Sequence, residues 1–255
     1  MSLQDTVAIV TGAGQGIGRD IAVALAREGA RCALVARSAA RLNETEAIIA
    51  DAGGEAVAIP ADVSDEIAVE ALFEETLGRL GPPRVLVNNA GIAGPVAPLQ
   101  QVPLAGWLET LAINLTGPFL TCRAAARAMS THGGGRIINI GSISGKRPLA
   151  NRAPYCASKM GLLGLTRSLA QELGPANINV NCISPGPVNT DRLELLAEKA
   201  GITLEVLLGS LREGSPLGRI AEGNDIAALC VYLASDAAKN ITGQDFTVDG
   251  GLFMD

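Results

Sequence analysis

Short apolar runs and helical stripes alternate along the chain almost from its start. Residues 6–10 (TVAIV) and 31–36 (RCALVA) are apolar at nearly every position, and 56–59, 85–87, 136–140 and 177–183 supply further short β-branched runs. Between them, apolar positions recur at helical spacing over 17–28, 40–52, 67–80, 104–129 and 155–174. Strands that alternate with helices predict a parallel sheet, because parallel neighbours need a crossover and crossovers are usually helices. Strands apolar on both sides predict a sheet covered on both faces, a three-layer α/β/α arrangement. No linker, repeat or composition break interrupts 1–255, so a single domain is expected. Residues 189–218 differ: short helical patterns punctuated by Gly201, Gly209 and Gly214 follow a strand end. That position suggests a small lid over a cleft; the alternative is an ordinary surface excursion.

Composition narrows the class. Hydrophobic residues make up 48% and charged residues 18%, which excludes a disordered chain. A net charge of −6 argues against a nucleic-acid partner, which requires a basic face. No apolar run approaches the roughly 20 residues needed to span a bilayer, and residues 1–5 lack the features of a secretory signal. The five cysteines are scattered, with no CxxC pair, which suits reduced thiols in the cytoplasm. His132 is the single histidine, beside a triple-glycine turn, so neither a His-rich metal site nor a serine-protease-type triad is expected. Proton chemistry has to come from another side chain.

The first strand runs into Gly12-Ala13-Gly14-Gln15-Gly16-Ile17-Gly18, which opens a helix. Glycine lets the backbone turn sharply and approach a pyrophosphate, whose charge sits against the helix N-terminus. The second strand ends at Ala36, where a carboxylate would select NAD. Arg37 follows and can clamp a 2′-phosphate, favouring NADP(H) with NAD(H) possible. Asp62 ends the third run, positioned to accept a hydrogen bond from an adenine amino group. Asn88-Asn89-Ala90-Gly91 ends the fourth, with amides suited to bonding backbone groups. Tyr155 and Lys159, four apart on a helix, project from one face. A neighbouring ammonium favours the phenolate and brings a tyrosine toward useful acid–base range. Ser142, at a strand end, is positioned to polarise a substrate oxygen.

In order and spacing these motifs resemble the short-chain dehydrogenase/reductase family over essentially the whole chain. Asn114, the Pro185-Gly186-Pro187-Val188-Asn189-Thr190 turn and Asp249-Gly250-Gly251 belong to the same resemblance. It implies a Rossmann-type, doubly wound parallel sheet of about seven strands. It also implies an NAD(P)-dependent oxidoreductase that moves a hydride between nicotinamide and a carbonyl or alcohol carbon. Tyr155 is then the general acid/base, Ser142 stabilises the oxygen, Lys159 binds ribose, and Asn114 anchors a relay water. Implied cofactor contacts are Gly12, Gln15, Gly16, Ile17, Gly18, Arg37, Asp62, Val63, Asn89, Ala90, Gly91, Tyr155, Lys159, Pro185, Gly186, Val188 and Thr190, with Thr190 at the carboxamide. A homotetramer packed through the two long helices is the family's usual assembly. No metal is required.

Substrate contacts are expected from 92–96, from the segment between Ser142 and Tyr155, and from the lid, with Ser144, Asn151, Arg152 and Pro187 as candidates. Lys146, Arg147 and Arg152 near a cleft suit a carboxylate or phosphate; alternatively they face solvent or a subunit contact. A small polar carbonyl compound, polyol or hydroxy acid, or a 3-oxoacyl thioester, fits the few aromatics. Arg127 occupies one of two basic positions that carrier-protein reductases present to their partner, whereas Gln171 occupies the other. A non-catalytic NADP(H)-binding sensor or scaffold is the alternative class, but it has no need for the intact Ser142, Tyr155 and Lys159.

Overall fold

Every residue of the first strand, β1 (Val7–Thr11), is buried, as a strand with helices on both faces requires. A computed structural model describes residues 2–254, apart from the side chains at 191, 192, 195, 199 and 200. Six further strands are β2 (Arg31–Ala36), β3 (Glu55–Pro60), β4 (Pro83–Asn88), β5 (Gly135–Ile140), β6 (Ile178–Pro185) and β7 (Asp245–Val248), and every neighbouring pair is parallel. They form one sheet in the order β3-β2-β1-β4-β5-β6-β7. The order reverses between β1 and β4. This is the switch point, outside whose carboxyl ends an open α/β sheet leaves a crevice.

The helices are α1 (Gly16–Arg27), α2 (Ala39–Asp51), α3 (Glu66–Leu80), α4 (Leu104–Leu111), α5 (Gly117–Ser130), α6 (Ile143–Lys146), α7 (Ala153–Leu173), α8 (Asp191–Ala200), α9 (Leu204–Glu213) and α10 (Gly223–Ala234). Strand residues alternate between the two faces they cover. Ala8, Val10, Cys32 and Leu34 join Ile21 and Leu25 of α1, Leu42 and Ile49 of α2, and Ile226 and Cys230 of α10. Val7, Ile9, Ala33 and Val35 join Val69 and Leu72 of α3 and Leu120, Ala125 and Met129 of α5 on the other side. Each fully buried Val, Leu, Ile or Met among them contributes about 1.5–3 kcal/mol, and the alanines less.

The stretch expected as one helix over 104–129 contains a π-helical segment at Ala112–Thr116. Pro118 explains it: proline lacks the N–H that would bond the carbonyl at Asn114, and its ring crowds that carbonyl. The helix passes the obstacle through wider turns, and Asn114 lies at their centre. Residues 189–218 form two helices, α8 and α9, divided by a left-handed Gly201 (φ 68°). Gly209 falls inside α9 instead of ending it. The apolar pattern does not single out α10, because Ile226, Leu229, Cys230, Val231, Tyr232 and Leu233 surround its axis and leave no polar stripe. Among the described residues no helix is long and apolar enough to cross a membrane.

No cysteine forms a disulfide, and four of the five are buried. Burial pushes the Cys32, Cys122 and Cys182 thiols up to about 12 and raises that of Cys230 as well. Thiolate is the reactive form, so Ellman's reagent is expected to label one thiol, Cys156, in the native protein. All five should react in denaturant. Rapid reaction of two or more native thiols would contradict this packing.

Candidate active site

The site begins where β1 meets α1. Gly12 turns left-handed (φ 68°), and Asn89, just beyond β4, donates through Nδ2 to the Thr11 carbonyl (3.1 Å) and the Gly12 carbonyl (3.3 Å). Thr11 Oγ1 accepts from the Asn89 and Ala90 amides at 3.0 and 3.1 Å. There is no room for side chains here: a Cβ on Gly18 would lie 2.2 Å from the Gly12 oxygen. Arg19 donates to the Gly14 carbonyl at 2.6 Å and to Thr45 Oγ1 at 3.1 Å. Thr45 in turn donates to the Ala13 carbonyl at 2.9 Å, so α1 and α2 brace the turn between them.

No side chain caps the start of α1, and its first turn holds no acid. Its leading N–H groups are therefore free for an anion. Beside them lies a cleft of about 370 Å³. Gly12, Gln15, Gly16, Ile17, Gly18, Arg37, Asp62, Val63, Asn89, Ala90, Gly91 and Thr190 line it, together with Gly14 of the same turn, Ile92, which was expected at the substrate, and Ser38, Arg41 and Ile113, which the sequence does not single out. The glycine cradle, the uncapped helix and the length of the cleft fit a dinucleotide. At its far end Ser38 caps α2 by accepting from the Arg41 amide, and neither Arg37 nor Arg41 forms an ion pair among the described residues. Asp62 Oδ1 accepts from the Ser64 amide (2.9 Å) and hydroxyl (2.6 Å). Those bonds, aided by the Arg37 charge, hold the Asp62 carboxyl below the usual carboxylate range despite partial burial.

A second cavity of about 330 Å³ shares Ile17, Asn89, Gly91 and Thr190 with the cleft and extends from it. Tyr155, Lys159, Ser142 and Ser144 line it. Lys159 Nζ donates to the Ile140 carbonyl at 2.7 Å and stands 5.9 Å from the Tyr155 ring centroid. Ser142 Oγ caps α6 by accepting from the Ser144 amide at 3.1 Å. Pro185, Gly186, Pro187 and Val188 follow the end of β6 along the wall, and α8 and α9 cover the cavity with Leu193, Leu196, Leu207 and Leu211.

A family model described as enoyl-(acyl carrier protein) reductase matches residues 12–253. D-threitol dehydrogenase of Mycolicibacterium smegmatis is 41% identical over 98% of this chain and 93% of its own length. The 3-oxoacyl-[acyl-carrier-protein] reductase of Pseudomonas aeruginosa is 39% identical, with both chains fully covered. The crystal structure of an NAD+-bound xylitol dehydrogenase superposes with a TM-score of 0.92 at 33% identity, covering 98% of this chain and 100% of that one. This chain belongs to the short-chain dehydrogenase/reductase family.

Within that family frame, several expected contacts take another form here. Asn114 is fully buried, and its side chain is committed: Oδ1 accepts from the Ile92 amide (2.8 Å), and Nδ2 donates to the Ile92 carbonyl (3.0 Å) and to Ser158 Oγ (3.1 Å). It clamps the loop after Gly91 to α7. Asn151, expected at the substrate, is exposed and lines neither cavity; its left-handed backbone (φ 62°) turns the chain, and its carbonyl accepts from the Ala97 amide. Lys146 points away from the cavity, 2.6 Å from Thr247 Oγ1 and 3.0 Å from Asp245 Oδ2. Arg147 donates to the Leu252 carbonyl. Arg127 pairs with Glu70 across α5 and α3. Of the cations between Ser142 and Tyr155, Arg152 lines the cavity.

The Lys146–Asp245 pair ties α6, and with it Ser142, to β7. Both side chains are largely buried, 11% and 5% exposed. Removing one partner leaves a buried charge without its counterion, so Lys146→Met is expected to destabilise the protein by about 3–5 kcal/mol in urea unfolding. A change under about 1 kcal/mol would mean that water already solvates Asp245.

Proposed function

We propose that this member of the dehydrogenase/reductase family interconverts a secondary alcohol and a ketone, with Tyr155 as the acid–base group. The observation that carries this is the meeting of Tyr155, Lys159 and Ser142 in a cavity that opens directly onto the dinucleotide cleft. When bound, nicotinamide gives a hydride to the carbonyl carbon or takes one from the carbinol carbon. In reduction the Tyr155 phenol donates its proton to the substrate oxygen; in oxidation the phenolate removes the hydroxyl proton as the C=O bond forms. Ser142 Oγ hydrogen-bonds the same oxygen and orients it. Lys159 spends one donor on the Ile140 carbonyl, which leaves two for a ribose, and its charge favours the phenolate. Asn114 acts as a positioning residue, tying Ile92, which lines the cleft, to Ser158 on the helix that carries Tyr155 and Lys159. Tyr155→Phe is expected to lower turnover by about 10²–10⁴-fold. NADPH affinity should stay within about twofold, the few tenths of a kcal/mol of a contact outside the binding energy. Unchanged turnover would remove Tyr155 from the chemistry.

NADP(H) is the preferred cofactor, with NAD(H) also accepted. Arg37, Arg41 and the Ser38-capped start of α2 converge on the edge of the cleft where the adenosine ribose ends, a setting suited to a 2′-phosphate. Arg37→Ala is expected to weaken NADPH binding by about 1.5–3 kcal/mol, the scale of a charge-assisted bond, and to leave NADH binding almost unchanged. Equal losses for both cofactors would contradict the phosphate clamp.

The functional unit is a homotetramer of a cytoplasmic enzyme. Leu104 and Leu108 on α4, Phe119 on α5 and Met160 on α7 are exposed apolar side chains on the long helices, a patch that a second copy would cover. Light scattering during size-exclusion chromatography is expected to give a tetramer's mass. A monomer at micromolar concentration would overturn this assembly.

A further inference from the structure

Three basic side chains lie between Ser142 and Tyr155, and the fold engages two of them away from the cavity. Lys146 is taken up by Asp245 and Thr247, and Arg147 by the Leu252 carbonyl. Arg152 is left. Its guanidinium carbon stands 5.1 Å from the Tyr155 ring centroid, at the edge of the second cavity. It forms no ion pair among the described residues, and its Nε is buried without a hydrogen-bond partner. Arg31, Arg123 and Arg136 also bury an unpartnered Nε, but of these four arginines Arg152 alone lines the second cavity, where a ligand can meet its charge. No Asp or Glu is found among the described residues lining the cavity, so nothing there opposes an anion.

The remaining wall is aliphatic: Leu149, Val188, Leu193, Leu196, Leu207 and Leu211. Apart from Ser142, Tyr155 and Lys159, and the residues shared with the cofactor cleft, Ser144 is the one hydroxyl lining it. A polyol buried there would carry several hydroxyls against carbon, each desolvated without a partner. An aliphatic skeleton with a single anionic group matches both features.

We infer that the substrate is a compact hydroxy acid or oxo acid with an apolar aliphatic skeleton, its carboxylate bound by Arg152 while its carbinol oxygen faces Tyr155. Arg152 stacks on the tyrosine, so acid and alcohol are held by adjacent side chains. That geometry suits a small ring or short chain better than a long acyl thioester or an open-chain sugar. The inference rests on the oxidoreductase reading above and narrows it to a substrate class.

The test is NADP+ reduction by 3-hydroxybutanoate and 4-hydroxycyclohexanecarboxylate, by the primary amide of each, and by threitol, xylitol and gluconate. The wild-type enzyme is expected to prefer an acid over its own amide by about 10- to 100-fold in kcat/KM, the range of one charge-assisted bond. In Arg152→Gln that ratio should fall to near one, chiefly through KM, and Arg152→Lys should restore part of it. A role limited to stacking on Tyr155 would instead lower acid and amide rates together and leave the ratio intact, which overturns the carboxylate assignment. Preference for an amide, a polyol or gluconate would also overturn it while leaving the oxidoreductase reading in place. Tight NADPH binding with no turnover of any compound would overturn both.

Discussion

The structure depends on how closely the start of α1 approaches the ends of β1 and β4. At Gly12 and Gly18 there is no space for a Cβ, and Asn89 fills the remaining gap by bonding the Thr11 and Gly12 carbonyls. This contact holds the switch point of the sheet open on one side and leaves the uncapped N–H groups of α1 facing it. A diphosphate placed there meets oriented donors whose ordering cost folding has already met. Arg19 and Thr45 transmit the same constraint to α2, whose first turn carries Arg41 to the other end of the cleft.

The chemistry beyond the cleft is held by groups that do not react. Lys159 is fixed by the Ile140 carbonyl, Ser142 by α6, and α6 by Lys146 on Asp245. Asn114, in the π-helical segment that Pro118 forces on the helix, ties the loop after Gly91 to α7. Tertiary contacts thus divide one short basic segment: two of its cations become anchors and the third remains available in the substrate cavity. Around that cation the cavity wall is aliphatic, with Leu193, Leu196, Leu207 and Leu211 from α8 and α9.

Much of this was legible in the sequence, for local reasons. The glycine turn follows a strand directly, Tyr155 and Lys159 share a helix face by spacing, and apolar runs without alternation announced a sheet buried on both sides. What escaped is non-local. Arg41 reaches the cleft because α2 packs beside α1, and its position along the chain carries no such signal. The partner of Lys146 is Asp245, from a strand too short and too polar at its start to stand out. Asn151 looked like a substrate contact by proximity to Tyr155, but a left-handed turn carries it outside. Short helical patterns broken by Gly201, Gly209 and Gly214 were legible over 189–218; that α8 and α9 bring Leu193, Leu196, Leu207 and Leu211 to the cavity was not, because it depends on how they pack.

In the proposed reaction the two cavities act together, the first holding the cofactor while the second presents an alcohol or ketone carbon to it. Following deuterium from (4,4-²H₂)-NADPH, labelled on both faces, into a panel of oxo acids and neutral ketones by NMR tests this most directly. Label appearing at the carbinol carbon of the product, with an equal loss from the cofactor and at a rate about 10²–10⁴-fold lower in Tyr155→Phe, is the expected result. Retention of the label on a cofactor that binds tightly, across the whole panel, would contradict it.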